Sequence, residues 1–383
     1  MKAKTAYLAS KPRYEILDGL RGVASLMVVF FHIFEVYSGG QAHQTINHGY
    51  LAVDFFFVLS GFVVGYAYDD RWDRMTVWSF FKRRLVRLHP MVVMGTVVGL
   101  CFYYIGQGEA FPLIGNVPGW KVMLAFLMGC LMIPCGPRMD IRGWGETNSL
   151  NGPNWSLTWE YLANIVYAFV LRKLPVFLLA VLVCLAGFCT LDLCLNLNVF
   201  GLLTESRDSL MYTPIGGWSL TPEQMYIGLT RLSYPFLAGL LLSRIGKRIT
   251  LRGGFWWCSL ILVAVLSVPC VGGGGNVLNG VYNAACIMIV FPLVVAIGAG
   301  SQITGQKGNR VCQVIGELSY PLYITHYPLI YVQTNWVLSH QDAPLFAHVV
   351  VAAGVVVMSL FIAWASLKLY DIPVREWLKK KWL

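Results

Sequence analysis

The chain has 383 residues, of which 57% are hydrophobic and only 13% are charged, and its formal net charge is +10. Soluble domains carry roughly 25% charged residues, so this composition excludes an ordinary soluble protein and indicates a chain surrounded by lipid. Lys and Arg form short clusters beside apolar segments, which is typical of membrane topology signals and argues against a nucleic-acid-binding protein.

Eleven apolar segments are candidates for membrane helices, which need ~20 mostly apolar residues. In chain order they are Ile16–Tyr37, Gly49–Tyr68, Leu85–Ile105, Trp120–Ile133, Trp155–Leu171, Leu174–Leu193, Tyr226–Ser243, Phe255–Cys270, Val281–Ala299, Ile315–Val337 and Phe346–Leu367. No small-residue cleavage site follows the basic N-terminal stretch, so we expect the first segment to remain as an anchor. We predict an all-α integral membrane bundle that forms a single domain over residues 1–383, without an appended soluble domain.

The distribution of basic residues predicts the topology. The N-terminus and the clusters Arg71–Arg87, Arg244–Arg252 and Arg375–Lys381 should be cytoplasmic, whereas Gly106–Gly119 has no Lys or Arg and should face outward. These assignments agree only if the short segment 120–133 does not cross. We therefore predict about ten transmembrane helices with both termini in the cytoplasm.

Two long polar connections, Gly106–Asn154 and Asn196–Gln224, should then lie outside the membrane, where connections of this length are often functional. Both contain side chains that suit a sugar, such as Trp144 and Trp218. Because Trp is common at membrane interfaces in any case, the carbohydrate interpretation needs further support.

The first segment contains two ionisable residues on one helical face, Arg21 and His32. At 1.5 Å per residue they are ~16 Å apart along the helix, with Arg21 near the cytoplasmic end. Arg binds phosphate through bidentate hydrogen bonds, and a neutral His accepts a proton from a hydroxyl. An extended ligand with phosphates at one end and a thioester at the other, such as acyl-CoA, fits this spacing. The alternative is a snorkelling Arg and a His buried in helix packing.

The third segment begins with Phe80–Pro90, which reads FFKRRLVRLHP. Arg84 and Arg87 are three residues apart and share a face, so they are candidates for the phosphates of the same donor. Arg83 is better explained as a cytoplasmic anchor. Pro90 is expected to kink the helix or to start the span proper.

Isolated polar side chains occur in further segments: Asp54, Glu160 and His326. A carboxylate that orients the second ring nitrogen of a catalytic His follows the usual logic of a general base. We predict that Glu160 or Asp54 does this for His32, and the sequence leaves both choices open. His326 is either part of the site or a packing histidine.

Five motifs together resemble the membrane acyltransferase-3 family, the bacterial O-acyltransferases of cell-surface glycans. They are LDGLRGVASLMVVFFH (17–32), YLAVDFFFVLSGFVVG (50–65), RRLVRLHP (83–90), WSLTWEY (155–161) and IGELSYPLYITHYPLI (315–330). The resemblance implies a ten-helix core that takes an acyl group, usually acetyl, from cytosolic acyl-CoA and works without a metal.

The resemblance also implies roles for individual residues. The family's Arg-x10-His motif falls on Arg21 and His32, and its donor-binding arginines fall on Arg84 and Arg87. Its Trp-Ser-Leu-x-x-Glu motif falls on Trp155, Ser156, Leu157 and Glu160, and its late Tyr-x-x-His motif falls on Tyr323 and His326. We expect Glu160 or Asp54 to act with His32 in catalysis, and we expect four residues to bind substrate: Trp155, Ser156, Tyr323 and His326.

The implied activity is transfer of an acyl group to a hydroxyl of an extracytoplasmic or lipid-linked carbohydrate in the bacterial inner membrane. Some family members carry a fused extracytoplasmic domain, and here a separate partner is expected to take its place unless transfer is direct. The rival interpretation is a transporter or acyl-group carrier, because paired charges at membrane depth also mark substrate pathways.

Overall fold

The computed structural model describes residue 11 and residues 13–38, 46–204, 207, 210–272, 275–303 and 305–383. Within these ranges the chain is helical and has no β-strand, apart from an isolated bridge between Gly108 and Phe111. The predicted all-α class is therefore confirmed for the described part of the chain. The basic N-terminal residues before Lys11, which contributed to the topology prediction, lie outside it.

The helices follow the apolar segments of the sequence. They are α1 Glu15–Glu35, α2 Ala52–Tyr68, α3 Val77–Tyr103, α4 Gly119–Cys130, α5 Asn154–Phe169, α6 Val176–Cys194, α7 Pro222–Ile245, α8 Gly254–Ser267, α9 Val277–Ala285, α10 Phe291–Gly300, α11 Gln306–Thr325, α12 Tyr327–Ser339, α13 Leu345–Ala365 and α14 Ile372–Trp382. Single π-helical turns join α9 to α10 and α13 to α14.

The third helix starts earlier than predicted. The Thr76 side chain caps its N-terminus by accepting a hydrogen bond from the Ser79 amide at 3.1 Å, and the helix then continues through Pro90. A hydroxyl at this position satisfies an amide that has no partner within the helix. Arg84, which precedes the predicted segment, consequently lies inside α3 together with Arg87.

In the described part of the chain, seven helical segments are long and apolar enough to cross a membrane: Glu15–Glu35, Gly49–Arg71, Val77–Tyr103, Val176–Cys194, Pro222–Ile245, Val277–Gly300 and Leu345–Trp382. This supports a multi-pass membrane protein, while the count of ten and the side of each terminus stay predictions. Helix α4 has 12 residues, or ~18 Å, too little for a hydrocarbon core of ~30 Å. Its length agrees with the expectation that this segment does not cross.

Glycines bring two pairs of helices into close contact. Gly19 on α1 lies against Cys312 on α11, and Gly22 lies against Ile315, so α1 and α11 run parallel. Gly61 and Gly65 on α2 lie against Phe236 and Leu240 on α7, so this pair is parallel as well. Small residues permit such backbone contact between membrane helices. These two parallel pairs, α1 with α11 and α2 with α7, form the frame of the site.

Helix α12 begins directly after α11 because of a proline. Pro328 has no N–H to donate to the carbonyl of Ile324, and the side chain of Asn151 donates to that carbonyl instead, at 2.8 Å. His326 lies at the break between the two helices. The proline thus places a histidine at the level of His32 and attaches the 131–153 connection to the same point.

Candidate active site

His32 lies in the last turn of α1, and its side chain is partly buried, with 19% exposed. Its Nδ1 atom is 2.9 Å from Oε2 of Glu35, three residues further along the same helix. An ionised carboxylate only accepts hydrogen bonds, so Nδ1 carries the proton and Nε2 of the neutral ring keeps its lone pair. This arrangement is that of a general base held by an orienting carboxylate.

The carboxylates that we expected on His32 are bound elsewhere. Glu160 accepts hydrogen bonds from Arg84 at 2.7 Å and from Ser60 at 2.9 Å. Asp54 lies 2.7 Å from Arg231, and both of these side chains are almost completely buried. A buried carboxylate gains more from a permanently charged guanidinium than from a neutral imidazole. The expected contact of Glu160 or Asp54 with His32 is therefore wrong for this structure, and Glu35 holds that position.

His326 packs against His32, with ring centroids 5.6 Å apart and ring planes inclined by 27°. Its Nδ1 donates to the carbonyl of Tyr323 at 2.9 Å, which leaves the lone pair on Nε2. That Nε2 atom is buried and has no hydrogen-bond partner among the described residues. The parallel packing of α1 and α11 thus brings together two histidines that are far apart in sequence.

A cavity of about 310 Å³ opens beside His32. Of the residues predicted to bind substrate, Trp155 and Tyr323 line it. Ser156 lies outside the wall but bonds the Tyr323 hydroxyl at 2.8 Å. The wall also includes residues of both long connections: Trp144, Glu146 and Trp218.

A backbone hydrogen bond joins the two connections. The Thr147 amide donates to the carbonyl of Trp218 at 2.8 Å. Trp218 and Trp155 meet edge to face, with ring centroids 6.4 Å apart. The structure therefore brings tryptophans of both connections into one cavity wall beside His32, a proximity that was not predicted from the sequence.

The predicted donor arginines also lie close together, at the opposite end of α1 from this cavity. Arg21 forms an ion pair with Asp18 at 3.1 Å, and Arg84 is paired with Glu160. Arg87 is close enough to Arg21 and Arg84 for the three charges to repel one another. Among the described residues Arg87 has no ion pair or hydrogen bond, so its guanidinium is the one best able to bind an added anion.

The arginine cluster and the His32 site lie at opposite ends of α1. Along the helix axis Arg21 and His32 are ~16 Å apart, and each has a carboxylate partner three residues away, Asp18 and Glu35 respectively. A cationic cluster at one end and a basic imidazole beside a cavity at the other suit a ligand with a phosphorylated end and a reactive end.

The profile of the acyltransferase-3 family, described as an acyltransferase domain, matches residues 14–367. The chain belongs to this family. The match includes every residue predicted to form the site, and it confirms the resemblance drawn from the five motifs. The family and the membrane helices together support a membrane acyltransferase.

Curated relatives agree with this assignment. The chain is 33% identical to "Protein 2 in picA locus" of Rhizobium radiobacter over 41% of its own length and 81% of the relative. It is 24% identical to acyltransferase MdmB of Streptomyces mycarofaciens, covering 83% of this chain and 79% of the relative. O-acetyltransferase OatA of Staphylococcus aureus is 22% identical over 95% of this chain, which spans only 58% of that relative. No solved structure is significantly similar to the chain.

Three functional candidates of this acyltransferase were not assigned a role from the sequence. Glu35 was visible as a carboxylate three residues after His32, and that i, i+3 spacing is the signal that predicts its contact. Arg231 is a charged residue inside an apolar segment, which marks it for attention by the cost of burying it. Glu146 lies in a polar connection, where no periodicity distinguishes it from its neighbours. In the described part of the chain no cluster of three or more His, Cys, Asp or Glu could hold a metal ion.

Proposed function

We propose that this acyltransferase moves an acyl group, most simply acetyl, from cytosolic acyl-CoA to a hydroxyl of an extracytoplasmic or lipid-linked carbohydrate. The observation that carries the proposal is the position of His32. Its Nδ1 is held by Glu35 at 2.9 Å, it lines the cavity, and it shares α1 with Arg21 of the cationic cluster. The family assignment and relatives described as an acyltransferase and an O-acetyltransferase support the reaction class.

The donor would bind with its phosphates at the arginine cluster. Arg21 and Arg84 are each neutralised by a carboxylate, so Arg87 supplies the charge that remains. Guanidinium groups bind phosphate through short, charge-assisted hydrogen bonds. Holding one end of the donor there directs its thioester along α1 towards His32. An orienting contact of this kind lowers the barrier by fixing the reacting atoms in place before reaction.

In the transfer step, the acceptor hydroxyl gives its proton to Nε2 of His32 as its oxygen attacks the acyl carbonyl. The bond from the acyl carbon to sulfur breaks, and the leaving CoA thiolate takes the proton back from Nε2 of the imidazolium, which returns His32 to its neutral form. Glu35 stabilises the imidazolium that forms, because its carboxylate accepts from Nδ1 throughout. A route through an acyl-imidazole on His32 requires the same free Nε2, so both routes need this tautomer.

The topology that this reaction requires is ten spans with both termini in the cytoplasm of a bacterial inner membrane. Parallel packing of α1 with α11, and of α2 with α7, supports it, because the predicted topology gives the members of each pair the same direction. The arginine cluster would then face the cytosol, and the cavity would face the carbohydrate.

The test uses the purified full-length protein in liposomes, with radiolabelled acetyl-CoA and a preparation of bacterial cell-surface glycan. We expect His32→Ala to abolish covalent transfer of label. His340→Ala, which removes an exposed histidine just after the end of α12, serves as the matched control and should retain the wild-type rate. Wild-type transfer by His32→Ala would overturn the assignment of His32. Label that crosses the membrane without becoming covalently attached would instead favour the acyl carrier.

A further inference from the structure

The cavity beside His32 has three charged residues in a mainly apolar and aromatic wall. It contains two carboxylates, Glu35 and Glu146, and one guanidinium, Arg231. Arg231 is already engaged, because four of its five N–H groups donate to the Asp54 carboxylate and to the carbonyls of Tyr50 and Gly216. The wall therefore offers hydrogen-bond acceptors and indole faces to a ligand, while its permanent cation is already neutralised.

Glu146 is presented by a rigid segment of the 131–153 connection. The Asp140 carboxylate accepts hydrogen bonds from the amides of Arg142 at 2.9 Å, Gly143 at 3.0 Å and Gly145 at 2.7 Å. Gly143 and Gly145 both have a positive φ, of 96° and 70°, which residues with a Cβ seldom adopt. These contacts fix the backbone on both sides of Trp144 and just before Glu146.

The Glu146 carboxylate itself is held on one side only. The Tyr331 hydroxyl donates to its Oε2 at 2.5 Å, and the Arg142 guanidinium lies 3.6 Å from the centre of the Tyr331 ring. The other oxygen, Oε1, has no hydrogen-bond partner among the described residues. A buried carboxylate with a fixed orientation and a free oxygen in a cavity wall is suited to accept a hydrogen bond from a ligand.

We propose that this cavity is the acceptor subsite for one uncharged sugar ring, with Glu146 Oε1 accepting a hydrogen bond from a ring hydroxyl and the Trp144 and Trp218 side chains flanking the ring. The inference rests on the proposed function, since it names the substrate that His32 would deprotonate. Glu146 is an acceptor-binding residue here and takes no proton from the reaction.

Size and charge both restrict the ligand. A volume of about 310 Å³ is at the lower end of the ~300–1,000 Å³ found for ligand pockets, so the cavity has room for one sugar ring but not for a long oligosaccharide. A sugar with its own carboxylate would face Glu35 and Glu146 across a cavity of low dielectric, and like charges repel strongly there. The subsite therefore selects a neutral hexose or N-acetylhexosamine unit over a uronic acid.

The test measures acetylation of three methyl glycosides by the full-length protein in liposomes with acetyl-CoA: a glucoside, an N-acetylglucosaminide and a glucuronide. Glu146→Gln keeps an oxygen that accepts from Tyr331 but lacks the charge. Tyr331→Phe removes the supporting bond and keeps the free carboxylate. Glu109→Gln changes an exposed carboxylate of the preceding connection and is the matched control.

At about pH 8.5, where Glu146 is ionised despite its raised pKa, we expect Glu146→Gln to raise KM for the glucoside about tenfold, the effect of losing one charged hydrogen bond. KM for acetyl-CoA should stay within about twofold of wild type. The variant's preference for glucoside over glucuronide should also fall, because one repulsive carboxylate is gone. Tyr331→Phe should lower Tm, because a buried hydrogen bond is lost, and should change KM for the glucoside only slightly. Glu109→Gln should match wild type in every respect.

The outcomes separate the two proposals. Wild-type protein that releases no CoA with any glycoside counts against the proposed function itself. Wild-type activity combined with an unchanged acceptor KM in Glu146→Gln overturns the subsite alone. Acetylation of the glucuronide as efficiently as the glucoside by wild type would overturn the selection for an uncharged ring.

Discussion

The contact between Glu35 and His32 allows a quantitative prediction. Replacing Glu35 with Gln keeps an oxygen that accepts from Nδ1 at 2.9 Å but removes the charge that stabilises the imidazolium. A hydrogen bond with one charged partner contributes about 1.5–3 kcal/mol, and the lower value applies because both side chains are partly exposed, at 19% and 27%. Each 1.36 kcal/mol corresponds to about tenfold in rate.

We therefore expect Glu35→Gln to reduce the rate of acyl transfer about tenfold. Glu35→Ala, which also frees the imidazole to rotate, should reduce it about 100-fold. Single-turnover transfer of radiolabelled acetyl in liposomes measures the step directly. Glu15→Gln, an exposed carboxylate in the first turn of the same helix, is the control and should leave the rate unchanged. If Glu35→Ala transfers acetyl at the wild-type rate, Glu35 does not orient His32.

Three further predictions concern binding and stability. Arg87→Ala should raise KM for acetyl-CoA about tenfold in steady-state assays, because the unpaired guanidinium is lost, whereas Arg83→Ala should not. Asp54→Ala leaves Arg231 buried without its carboxylate and should destabilise the fold by about 3–5 kcal/mol, measured as a lower Tm in detergent; an unchanged Tm would contradict the importance of the pair. Burial raises the pKa of the Glu146 carboxyl to about 7. The nearby carboxylates of Asp140 and Glu35 act in the same direction, whereas the Tyr331 hydrogen bond and the Arg142 charge act against it. A raised carboxyl pKa stabilises the folded wild-type protein at low pH, and this stabilisation is lost as pH rises through about 7. Glu146→Gln lacks the titrating group, so the Tm of the variant minus that of wild type should increase between about pH 5 and about pH 8.

The sequence predicted the parts of the site that depend on one helix. Arg21 and His32 share a face of α1 because helical spacing is fixed. The i, i+3 contacts of Asp18 and Glu35 have the same geometric origin, although neither carboxylate was predicted to be a partner. The all-α fold and the shortness of α4 followed from apolar segment lengths.

Contacts between helices could not be predicted in the same way. Whether Glu160 meets His32 or Arg84 depends on the rotation of α5 against α1 and α3, and that rotation is set by packing along their whole lengths. Arg231 reaches Asp54 only because Gly61 and Gly239 allow α2 and α7 to approach closely. The position of Glu146 is set by a connection whose backbone is shaped by Asp140 and by two glycines with positive φ. No periodic pattern in the sequence predicts that shape.

The Asp54–Arg231 pair has a consequence for how the protein is assembled in the membrane. A charged side chain costs about 2.5–3.5 kcal/mol on insertion at the centre of a helix and less near its ends, and Asp54 lies in the first turn of α2. Helix α1 reduces the cost of its own charges with partners on the same helix. Asp54 and Arg231 have no such partner nearby in sequence, and about 180 residues of chain are synthesised between them. Helix α2 therefore enters the bilayer with a carboxylate that stays uncompensated until α7 arrives, so the bundle reaches its stable arrangement only after the second half of the chain has been made.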